Sequence, residues 1–71
     1  MGKIRRGGFI ITWHLGDHLP IHVHVYKNQK LVCRWMLYEG KELSGKASKK
    51  LIKIIEDLKD EGIFEELEKL K

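Results

Sequence analysis

Three histidines fall within seven residues of the stretch "DHLPIHVHVYK" (17–27): His18, His22 and His24. A fourth, His14, lies just upstream. On an extended strand His22 and His24 project from the same side, with Cα atoms roughly 6.5–7 Å apart. That spacing serves two chemistries. In the first, imidazoles with an ordinary pKa near 6.5 divide the roles of base and acid across a phosphodiester. His22, His24 and His18 are then the catalytic candidates, Arg34 and nearby lysines steady the phosphate, and RNA supplies its own 2′-hydroxyl. In the second, His22 and His24 are ligands of one zinc or nickel ion. A catalytic zinc takes three protein ligands and a structural one four, so His14, His18 or Asp17 would have to complete the set. A third reading needs neither: the histidines line an interface with another protein. All three remain open, and no cofactor other than such a metal is implied.

The elements that must position these residues follow from periodicity. Residues 8–15 ("GFIITWHL") alternate, with Phe9, Ile11, Trp13 and Leu15 on one side, so they predict a strand. Gly16, Asp17 and Pro20 then supply turn chemistry. Residues 21–27 alternate more cleanly, Ile21, Val23 and Val25 against His22, His24 and Tyr26. After a polar link at 28–30, residues 31–38 ("LVCRWMLY") predict a third strand, and such short links favour antiparallel pairing. Farther on, Leu51, Ile54, Ile55 and Leu58 recur at helical spacing, with Ser48 as N-cap and Gly62 as terminator. "IFEELEKLK" predicts a second, short helix. The expected fold is α+β: one domain over residues 1–71, a three-stranded antiparallel sheet with one long and one short helix on one face. Trp13 and Trp35 are expected in the core, and Cys33 as a small strand hydrophobe. Tyr26 shares the histidine side.

Charge is uneven along the chain. Residues 1–55 hold eleven Lys and Arg against three acids, and residues 56–71 hold seven acids against three lysines, within an overall net charge of +4. A basic body suits a polyanion or an acidic partner. Arg34 and the helix-entry lysines Lys46, Lys49, Lys50 and Lys53 are the nucleic-acid-binding candidates; the four lysines place positive charge at the already positive end of the helix dipole. The single cysteine excludes an internal disulfide and any Cys-x-x-Cys zinc motif. No apolar run reaches membrane-spanning length, and no secretory or myristoylation signal is read at the start. The expectation is a cytoplasmic protein without a membrane partner. Asn28 and Gln29 are the two amide side chains in a Lys- and Glu-rich chain, a composition that thermophile proteins share.

The run Asp17-His18-Leu19-Pro20-Ile21-His22-Val23-His24-Val25 resembles the Asp-His-x-Pro-Pro-His-(Val/Phe)-His-(Val/Ala) signature of a family of small prokaryotic proteins, domain of unknown function 4160. The resemblance extends over nearly the whole chain, including "YEGKELSGKASKKLIKIIEDLKDE". Ile21 stands where the family has its second proline, and the tail lacks the family's tryptophan. The family implies no settled reaction. It does imply a toxin–antitoxin-type setting, with a small cognate protein encoded nearby. By match to the motif, His18, His22 and His24 are the working residues, with Asp17 and Pro20 shaping the turn. The implied function is that of a small basic protein acting on RNA or DNA, or through a protein partner. An exposed sheet edge also allows a homodimer.

Overall fold

The structure, a computed structural model, describes residues 2–14 and 21–68. Five strands form one antiparallel sheet in sequential order: β1 (Gly2–Arg6), β2 (Phe9–Trp13), β3 (His22–Lys27), β4 (Lys30–Met36) and β5 (Lys41–Gly45). Helix α1 (Lys49–Asp60) follows, then the single turn α2 (Glu65–Glu68).

The expected three-stranded sheet is therefore wrong by two strands, both at edges. β1 and β5 lie in segments for which periodicity predicts no element. Each has a turn that specifies it. Gly7 and Gly8, at φ 60° and 86°, make the two-residue hairpin turn whose central positions both require positive φ. Asn28 and Gln29, at φ 53° and 65°, form the equivalent turn between β3 and β4. Helices still cover one face, but the second is four residues long.

The covered face is built in rows. Ile4, Ile11, Val25, Cys33 and Gly45 are successive cross-strand partners through all five strands. Gly45 ends the row because a Cβ there would overlap the Val32 carbonyl. Val23 and Trp35 form the next pair. Against this face α1 lays Leu51, Ile55 and Leu58, all buried. Ser48 caps the helix by accepting from Leu51 N–H at 3.2 Å, and Gly62, at φ 82°, follows its end, as a left-handed C′ position favours. Phe64 and Leu67 close the core. Phe64 meets Trp13 edge-on, centroids 5.0 Å apart, and Trp13 Nε1 donates to Glu66 at 2.7 Å.

Cys33 is a buried core residue as expected, and burial pushes its thiol pKa up to about 11. Outside the core, Arg6 and Glu61 tie the first hairpin to the helix end. That hydrogen bond holds the Glu61 carboxyl below the usual carboxylate range. Among the described residues no helix is long and apolar enough to cross a membrane.

Candidate functional site

The sheet face turned away from α1 carries the histidines, and antiparallel register builds it in rows too. Directly opposed residues share a face. Lys3, Thr12, His24, Arg34 and Ser44 are successive partners across β1 to β5. Two residues along the strands lies a second row, Arg5, Ile10, Tyr26 and Leu31. On the other side of His24, His22 pairs with Met36 and Met36 with Lys41. The first row runs about 19 Å from end to end, given strand spacings near 4.8 Å.

Three imidazoles gather at the middle of this face. The rings of His22 and His24 are 5.1 Å apart between centroids, and those of His14 and His24 are 6.1 Å apart, both edge-on. They differ in access. His14 is exposed and His24 half-buried, whereas His22 is 7% exposed and is the one buried polar residue among those described. Alternation thus puts His22 and His24 on the expected side of β3, yet a ligand arriving from solvent meets His24 and His14 first. His18, together with Asp17 and Pro20, lies outside the described residues.

Charge segregates by layer. The face turned away from α1 holds Lys3, Arg5, Arg34 and Lys41. Among the described residues its two long rows include no acid; Glu39 sits in the turn before β5, and seven others follow Ile55 in α1 and beyond. Glu42 lies across from Trp35, on the core side. Its carboxylate accepts from Ala47 N–H at 3.0 Å, which lowers its pKa. Arg34 Nε donates to Ser44 Oγ at 2.9 Å, so the guanidinium is held by its own row.

The sequence candidates therefore divide. Arg34 joins the histidines. Lys49, Lys50 and Lys53 stand exposed on α1, in the opposite layer, with Lys46 just ahead of it; Lys53 pairs with Asp57 at 3.6 Å. Conversely, Lys3, Arg5, Thr12 and Ser44 belong to the histidine face and were missed. The signal for β1 was present, since Lys3 and Arg5 flank Ile4 just before a Gly-Gly turn. For Ser44 there is none beyond Gly45 beside it and Gly40 ahead of its strand. A metal is the other use of the same rings. Among the described residues no three His, Cys, Asp or Glu side chains are grouped to hold an ion; His18 and Asp17, two of the candidates for a third ligand beside His22 and His24, lie outside those residues.

A family model described as "Domain of unknown function (DUF4160)" matches residues 8–64. No curated protein and no solved structure matches the chain.

Proposed function

The chain belongs to the family described as domain of unknown function 4160, and on that premise we propose that it binds RNA across the sheet face turned away from α1 and cleaves it without a metal. The supporting observation is the row Lys3, Thr12, His24, Arg34 and Ser44, unbroken across five strands with no acid among its residues. Cations in a row match a polyanion, and phosphate contacts supply most of the affinity for nucleic acid. Arg34, with Nε committed to Ser44, keeps its terminal nitrogens for a bidentate grip on phosphate.

The chemistry belongs to His24 and His14, the two more accessible rings among the described residues. One, neutral, takes the proton of the 2′-hydroxyl as that oxygen attacks phosphorus. The other, protonated, gives its proton to the departing 5′-oxygen as the P–O5′ bond breaks. The products are a 2′,3′-cyclic phosphate and a 5′-hydroxyl. His22, packed behind His24, fixes the orientation of that ring. In a toxin–antitoxin-type pairing, an acidic cognate protein would cover this same face and exclude RNA.

Incubation of untagged protein with mixed RNA, with and without EDTA, tests the reaction. Cleavage that survives the chelator and leaves cyclic phosphate ends is the expected result. Cleavage abolished by EDTA would replace the acid–base pair with a metal held by His22 and His24. No cleavage in either lane would remove the nuclease activity from the account.

A further inference from the structure

Beside the charged row runs a row of different character. Ile10, Tyr26 and Leu31 are consecutive cross-strand partners, with Arg5 at the β1 end. Leu31 is 50% exposed, one of two large apolar side chains so exposed among the described residues. Ile10 and Tyr26 are half-buried. The β3–β4 register slips between Val25 and Tyr26, and this bulge brings Leu31, rather than Val32, opposite Tyr26. A bulge re-aims a side chain in this way. The result is an aromatic and apolar strip, roughly 6.5–7 Å from the Lys3-to-Ser44 row because two strand residues separate them.

We infer that the ligand of this face is a single-stranded nucleic acid lying across the strands, with its phosphates held by Lys3 and Arg34, the linkage to be cleaved at His24, and its bases on Tyr26 and Leu31. The inference rests on the RNA-binding reading and narrows its substrate class. A single strand has both features that the two rows match: a charged backbone, and bases whose faces are open for stacking. In a duplex those base faces are closed within the stack, and an A-form helix presents side chains with sugar hydroxyls and phosphates instead. A duplex would use the cationic row and leave the apolar one in water. Stacking of bases on an aromatic ring is tolerant of sequence, so little base preference is expected.

Short fluorescein-labelled 2′-O-methyl oligoadenylate, which cannot be cleaved through its 2′-oxygen, is the probe, compared with its duplex with 2′-O-methyl oligouridylate. The single strand is expected to bind more tightly. Tyr26→Ala should weaken single-strand binding about ten-fold or more without changing its salt slope, while Tyr26→Phe should retain the affinity. Leu31→Asp, at an exposed position that tolerates substitution, should weaken it as well. Equal affinity for the duplex, or Leu31→Asp and Tyr26→Ala proteins that bind like the parent, would overturn the inference. The RNA-binding reading fails separately: there, Arg34→Gln would leave both affinity and salt slope unchanged, whereas loss of one phosphate contact on a single strand lowers the slope by about 0.7.

Discussion

Replacing His24 by alanine should lower RNA cleavage by about two to four orders of magnitude, the contribution of one positioned acid or base. That corresponds to roughly 3–5 kcal/mol of transition-state stabilisation. RNA affinity should change little, because Lys3 and Arg34 remain in the same row. The loss therefore belongs in kcat rather than KM. His14→Ala should produce a loss of similar size, and the double variant should be hardly worse than either, as residues acting as one unit are strongly non-additive. His24 is only half-buried, so its truncation removes a side chain that solvent already reaches. Cleavage within a few-fold of the parent would remove His24 from the chemistry. A matching fall in affinity would instead make it a phosphate contact.

Phe64→Ala should have the largest effect on stability. Its ring is fully buried and stands edge-on to Trp13. It joins the segment after α1 to the sheet, beside the Trp13–Glu66 hydrogen bond. Truncation of a buried Phe costs about 3–5 kcal/mol, and a chain this short has roughly 4–11 kcal/mol in all. Urea denaturation should show most of the stability gone, and thermal melting a midpoint lower by roughly 15 °C or more. A loss under about 1 kcal/mol would mean that the segment is not docked as described, since such a value falls outside the range for a core aromatic.

What could be read from the sequence depended on burial. Strands β2, β3 and β4 were legible because Phe9, Ile11, Trp13, Val23, Val25, Cys33 and Trp35 alternate against a core. Helix α1 was legible from Leu51, Ile55 and Leu58, with Ser48 and Gly62 marking its ends. Edge strands bury little. β1 holds one apolar residue, Ile4, and β5 one, the exposed Leu43, so neither shows a repeated apolar alternation. Their hairpin glycines were the remaining evidence, and Gly7-Gly8 is a strong hairpin signal.

The site was half legible for the same reason. His22, His24 and Arg34 could be placed on one face by alternation alone, once their strands were known. The neighbouring cations Lys3 and Arg5 depended on the unseen β1. The lysines 46–53 looked like part of the same patch through nearness in sequence. The topology separates them, because α1, which carries Lys49, Lys50 and Lys53 as exposed residues, packs on the face that Val23 and Val25 share. The differing access of His22 and His24 was also beyond the sequence: period two assigns a face, and burial on that face depends on what else gathers there.

The most direct test of the account sets these two basic surfaces against each other. Binding of a labelled single-stranded RNA is measured as a function of salt for three proteins: the parent, Lys3→Gln/Arg5→Gln/Arg34→Gln, and Lys46→Gln/Lys49→Gln/Lys50→Gln/Lys53→Gln. The helix variant loses more charge, so a nonspecific effect of net charge would weaken it more. The histidine face predicts the reverse. The sheet variant should lose affinity and about two units of salt slope, at roughly 0.7 per phosphate contact, with the helix variant close to the parent. If the helix variant alone loses binding and slope, the RNA surface lies on α1, and the histidine face has another purpose.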